Sequence, residues 1–171
     1  MKLDSLQIRG RGNSTWRKSE KKPYRLKFHA PQRLLGPGFA NARDWTLLAN
    51  HGDKTLIRNA LTYELGRFVG LPFCPAYLFV DLFVNGQYLG IYQVSDQVEA
   101  GKGRVAVKKA SGWLLETAGK WNLERHHFTM PRGFTYNALR SRTSACGPST
   151  SRSIHGKSLS IMTPIRLIST T

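Results

Sequence analysis

Residues 77–94 constrain the fold more than any other stretch. They read YLFVDLFV, then Asn85-Gly86, then QYLGIYQV. An Asn-Gly pair supplies the positive φ that both central positions of a type I′ turn require, and that turn matches the twist of two paired strands. Residues 77–84 and 87–94 are therefore expected to form an antiparallel hairpin. Alternation places Tyr77, Phe79, Asp81 and Phe83 on one face and Leu78, Val80, Leu82 and Val84 on the other. Asp81 is then an acid among aromatics, either a ligand or a hydrogen-bonded core acid.

Before the hairpin, residues 50–72 (NHGDKTLIRNALTYELGRFVGLP) carry the strongest helical pattern. Asp53 is placed as an N-cap, Gly70 and Pro72 form a stop signal, and a helix is expected over residues 55–69. Leu56, Ile57, Ala60, Leu61, Leu65, Phe68 and Val69 recur at helical spacing, a face expected to meet a sheet. Asn59, Glu64 and Arg67 lie off that line. Further strands are expected at residues 5–9, 24–28, 45–49, 104–108 and 112–116. A turn-rich loop at residues 10–16, a Gly/Pro-rich connection at 34–42 and a polar loop at 95–103 separate them.

These elements predict an α+β domain over residues 1–133, mainly one antiparallel sheet with one packed amphipathic helix. Residues 134–171 contain 14 Ser or Thr among 38 residues and no acid. That composition buries too little apolar surface to offset chain entropy. The expectation is an irregular, basic tail, either disordered or unrelated in reading frame to the domain before it.

The net charge is +16. Seven of the 26 basic residues lie beyond Glu124, the last acid, so part of the excess belongs to the tail. A basic balance favours phosphate-bearing partners: nucleotides, nucleic acid or an anionic surface. No apolar run reaches the roughly 18 residues of a membrane span, and the opening residues lack the apolar core of a signal peptide. Cys74 and Cys146 allow at most one disulfide and have no metal-ligand neighbours, and His126-His127 lacks a third ligand at standard spacing. Neither a nucleophile elbow nor an obvious carboxylate pair is present, so hydrolase chemistry has no support.

The candidate anion site is the loop between the first two strands. Gly10 and Gly12 permit unusual backbone conformations, Asn13 and Ser14 can bond locally, and Arg9, Arg11, Arg17 and Lys18 surround them. The loop matches neither the P-loop pattern nor GxGxxG, and an ordinary turn with solvated charges accounts for the same residues. Lys22 and Lys27 are candidates for a specific phosphate contact. Glu64, one turn past Ala60, is a candidate partner for such a lysine. Asp53, Arg58, Asn59, Asp81 and Glu116 are secondary candidates, with Asp53 read first as a cap.

Four blocks, IRGRGNSTW (8–16), KKPYRLKF (21–28), WTLLANHGDKTLIRNALTYELGR (45–67) and LFVNGQYLGIYQVSDQV (82–98), closely resemble the CotH (spore-coat protein H) kinase family in the family's order. The weaker segments SGWLLE and HFTMPRG extend the likeness to about residue 133. The resemblance implies an atypical protein kinase with a kinase N-lobe-like sheet. Such an enzyme transfers the γ-phosphate of ATP, with Mg2+ or another divalent metal, to Ser or Thr of a protein substrate. By kinase analogy it pairs Lys27 or Lys22 with Glu64 and puts residues 93–98 near the adenine. Members of the family are often exported or at the cell surface. Their catalytic and metal-binding aspartates are expected downstream, in Asn-x-Asp and Trp-Asp-x-Asp segments, whereas this chain has no Asp after Asp96. The expectation is thus the nucleotide-binding half of a kinase, inactive alone. The alternative is a non-enzymatic module that binds nucleic acid or another polyanion through basic residues beside Trp16 and Trp113.

Overall fold

The computed structural model describes residues 6–107, 112–118, 127–131, 133–139 and 165–169. In chain order the elements are β1 (Leu6–Gly10), α1 (Ser14–Lys18), β2 (Tyr24–Gln32), β3 (Ala42–Leu48), α2 (Arg58–Phe68), β4 (Tyr77–Val84), β5 (Gln87–Asp96), β6 (Leu114–Ala118), β7 (His127–Thr129), β8 (Thr135–Leu139) and β9 (Ile165–Ser169). They fall into two units, Met1–Gln97 with Arg152–Thr171, and Val98–Ser151. The fold is α+β with a mainly antiparallel sheet.

The hairpin is the one the Asn-Gly pair dictates. Asn85 and Gly86 take φ of 53° and 79°, and β4 pairs antiparallel with β5. A register shift between Leu82 and Phe83 accompanies Gly90 at φ 95°, a backbone conformation that glycine adopts without steric penalty. Around this hairpin the first unit builds a six-stranded sheet in the order β1-β2-β3-β5-β4-β9, with every neighbouring pair antiparallel.

One face of this sheet is the core. Ile8, Leu26, Phe28, Trp45, Leu47, Val80, Leu82, Tyr92 and Val94 are buried, joined by Leu34 and Ala40 from the connection between β2 and β3. Strand alternation puts them on a common side, and Trp45 Nε1 donates to Ala42 O at 3.0 Å, so the indole enters the core with its polar atom paired. The opposite face is mainly polar towards β1 and β2, and α2 leans on it at β4.

Several boundaries differ from expectation. Residues 14–18 form the short helix α1 inside what read as a turn-rich loop. The main helix starts at Arg58 rather than near residue 55, because Leu56 has a left-handed φ of 62° that breaks helical continuity. Residues 104–107 form no strand and contribute only a bridge from Val105 to Ala100, and Lys108 lies outside the described residues. Two short strands, β8 and β9, fall within the stretch expected to be irregular.

The orientation of α2 is a correction. Ile57, Leu61, Leu65 and Phe68, expected to meet the sheet, are exposed, Phe68 at 88%. Ala60, from the expected face, is buried as expected, but it is joined by Gly66 and by Tyr63, packed on Tyr77 at a ring-centroid distance of 5.9 Å. A Cβ at Gly66 would meet Cys74 Sγ at 2.6 Å, so close approach of the following segment selects that side. The stop signal works as expected: Gly70 has φ of 75°, Gly70 N donates to Arg67 O and Leu71 N to Gly66 O, the Schellman arrangement.

The second unit holds a three-stranded sheet in the order β6-β8-β7, with Phe128 stacked on Tyr136 at 5.6 Å. Arg104 Nη1 donates to Glu99 Oε1 at 2.6 Å. Glu116 lies exposed on β6 of this unit. No helix among the described residues is long and apolar enough to cross a membrane.

Candidate functional site

Directly opposed residues of antiparallel strands point to the same side of a sheet. The register therefore assembles a row across the polar face: Arg9 opposite Arg25, Arg25 opposite Thr46, Thr46 opposite Ser95, and Ser95 opposite Tyr77. A parallel row sets Gln7 opposite Lys27 and Lys27 opposite Asp44. Arg25 Nη2 lies 3.0 Å from Asp44 Oδ1 and its Nε donates to the same oxygen at 3.1 Å. That fork fixes the guanidinium while its side chain stays 46% exposed. Thr46 donates from Oγ1 to Ser95 O at 3.0 Å.

The loop after β1 is fastened to the core side instead. Trp16 packs flat over Gly10: a Cβ at Gly10 would lie 2.5 to 2.7 Å from three of its ring atoms. Arg11 N donates to Pro23 O, which closes the base of the loop. Lys22 Nζ donates to Trp16 O at 2.8 Å, and Tyr92 OH donates to Lys22 O at 3.0 Å. Tyr24 bridges Trp16 and Tyr92, each at 6.1 Å. Lys21 Nζ donates to Ile91 O and sits 4.5 Å from the Tyr92 ring centre. Burial lowers the Lys21 pKa and raises those of Tyr24 and Tyr92, because each charged form loses water.

The secondary candidates gather near the start of α2. Asp53 accepts from Thr55 Oγ1 at 2.7 Å, Thr55 N at 3.1 Å and Arg58 N at 2.9 Å. Those bonds, led by the Thr55 hydroxyl, hold its carboxyl below the ordinary value. Asp53 thus caps the first helical N–H from five residues upstream, and Arg58 adds an ion pair at 3.4 Å. Asn59 Nδ2 donates to Asn50 Oδ1 at 2.8 Å; Asn50 Nδ2 in turn bonds Leu56 O at 2.8 Å and Gln93 Oε1 at 2.9 Å. This amide chain supports the left-handed Leu56 and ties the helix entry to β5.

Among the described residues Glu64 pairs with no lysine. Its carboxylate pairs with Arg67 at 2.5 Å and accepts from the Tyr77 hydroxyl, whose pKa rises through burial and then through that bond. Arg67 also donates to Pro75 O at 2.6 Å, so Glu64 braces the link from α2 to β4. Asp81 accepts from Tyr88 OH at 2.6 Å, a bond that raises the Tyr88 pKa; it is a paired strand acid.

The sequence-stretch candidates therefore split. Arg9 and Lys27 come together on the polar face, joined by Arg25, which the pattern did not single out. Lys22, Gly10 and Trp16 lie on the core side with Lys21, while Gly12, Asn13 and Ser14 form the exposed entry to α1. Alternation alone marks Arg25 and Lys27 as same-face neighbours; Asn50 and Tyr92 had no such signal, since their partners lie 43 and 70 residues away.

The family model for "CotH kinase protein" matches residues 8–144, most of the chain. The chain belongs to the CotH kinase family. No curated protein and no solved structure matches it. The CotH match begins at Ile8 on β1, runs through the whole hairpin and continues into the second unit, so it embraces both faces described above. Membership implies a kinase-like domain that meets a nucleotide and a protein substrate. Among the described residues no group of three or more His, Cys, Asp or Glu is placed to hold a metal ion.

Proposed function

We propose that this CotH domain binds ATP through its first unit, as the nucleotide-binding part of a kinase that phosphorylates Ser or Thr of a protein. The observation that carries the reading is the family match over residues 8–144. The arrangement of the first unit supports it: a sheet, a basic loop after its first strand, and a helix packed at β4. The cationic set of Arg9, Arg25 and Lys27, which share the polar face, suits a triphosphate, whose charge such side chains neutralise.

ATP supplies the transferable phosphoryl group, and Mg2+ screens its charge. The described residues suit the phosphates better than the metal, which lacks a carboxylate cluster among them; Mg2+ commonly arrives on the phosphates and keeps several waters. What this chain contributes is binding and orientation. Calorimetry and thermal shift on the full chain with Mg-ATP test the reading. Saturable heat and a rise in melting temperature are expected; neither signal at millimolar nucleotide refutes it.

A further inference from the structure

The polar face of β1, β2 and β3 presents like charges side by side. Arg9 and Arg25 are directly opposed across two strands, an arrangement that repels, and Lys27 lies two residues along β2, about 7 Å away on the same face. One carboxylate, Asp44, opposes these three cations, and it holds Arg25. Neither Arg9 nor Lys27 has an ion pair among the described residues. A strand pair that only had to fold has no use for this juxtaposition; a bound polyanion removes the repulsion.

One further feature marks the same face. Arg25 is pre-oriented by its fork on Asp44, so little freedom is lost when it meets an oxyanion.

We infer that the polyphosphate chain of the ligand lies on the exposed part of this face, over β1 and β2, contacted by Arg9, Arg25 and Lys27. Resting on the nucleotide reading above, the inference names its phosphate contacts. Lys21 and Lys22, whose ammonium groups are taken by Ile91 O and Trp16 O, then hold the loop in place. The chemistry recognised is a run of phosphates, from a nucleotide or from free polyphosphate.

Calorimetry on the full chain with sodium tripolyphosphate, Mg-ATP and adenosine distinguishes the sources. Arg9→Gln, Arg25→Gln and Lys27→Gln are each expected to weaken tripolyphosphate and Mg-ATP by about tenfold, as loss of a charge-assisted bond does. Lys54→Gln, the same charge change at an exposed residue before α2, is the control. Since Arg25→Gln also frees Asp44, Arg9→Gln, which breaks no pair, carries the test if Arg25→Gln unfolds. Variants that bind tripolyphosphate as tightly as Lys54→Gln overturn the inference, as does its failure to bind the unaltered chain. Tight Mg-ATP binding untouched by the three variants sinks the inference and leaves the nucleotide reading standing. Variant-sensitive tripolyphosphate binding, with Mg-ATP no tighter and adenosine silent, supports the phosphate face and sinks the nucleotide reading.

Discussion

Gly10→Ala is expected to destabilise the first unit, against the usual gain from removing a strand glycine. At a compatible site, replacing Gly by Ala stabilises by about 0.4–1 kcal/mol because the unfolded chain loses freedom. Here the added methyl would stand 2.5 Å from Trp16 Cη2, 2.6 Å from Cζ3 and 2.7 Å from Cζ2, well inside van der Waals contact. The ring must move by about 1 Å, since carbon pairs are comfortable at roughly 3.5–4.0 Å. Overpacking of this kind costs about 1–3 kcal/mol. If the half-buried indole swings out instead, its edge contact with Tyr24 is lost, worth about 0.5–1.5 kcal/mol. Overpacking outweighs the entropic gain and leaves a net loss of about 1–2 kcal/mol, whereas a ring that swings out would bring the variant close to neutral. Urea unfolding followed by circular dichroism, on Gly10→Ala, Trp16→Ala and the double variant, measures it. In the Trp16→Ala background the clash is gone, so Gly10→Ala should become neutral or stabilising, a coupling of about 1.5–3 kcal/mol. An equal effect of Gly10→Ala in both backgrounds would show that Trp16 does not rest on Gly10.

Three other outcomes are expected. Asp53 has a folded-state pKa below its ordinary 3.8, so its contribution is present above that value and disappears as pH falls through the lower folded-state one; amide resonances of residues 55–58 should shift in that acid range, and Asp53→Ala should abolish the transition. Gly70→Ala places a side chain at φ of 75° and should lower stability by about 1–2 kcal/mol, read as a fall in urea midpoint at unchanged slope. Leu61→Lys with Leu65→Lys, at residues 65% and 57% exposed, should reduce binding of a hydrophobic dye without lowering the melting temperature; a fall of several degrees would mean the stripe is packed.

The elements were largely legible because their signals are local. Asn85-Gly86 needs only its own φ values to set the turn, and Gly70 likewise ends α2. The start of α2 was misplaced because Leu56 adopts a left-handed conformation that no local preference favours; the Asn50 amide, bonded to its carbonyl, supports it. The direction of the apolar stripe was misread for a related reason. Periodicity identifies a face but not which side approaches a neighbour, and here Ala60 and Gly66 allow the closer approach.

The candidate site divides along the same line. By itself the sequence determined the antiparallel sheet, the basic loop after its first strand and the CotH resemblance, all written in contiguous residues. Strand pairing is what sets Arg9 beside Arg25 and Lys27, anchors the loop through Lys22 on the other face and gives Glu64 to Arg67 and Tyr77. Those choices depend on strand register, and register is a collective property: shifting one pairing by one residue exchanges the two faces of a strand.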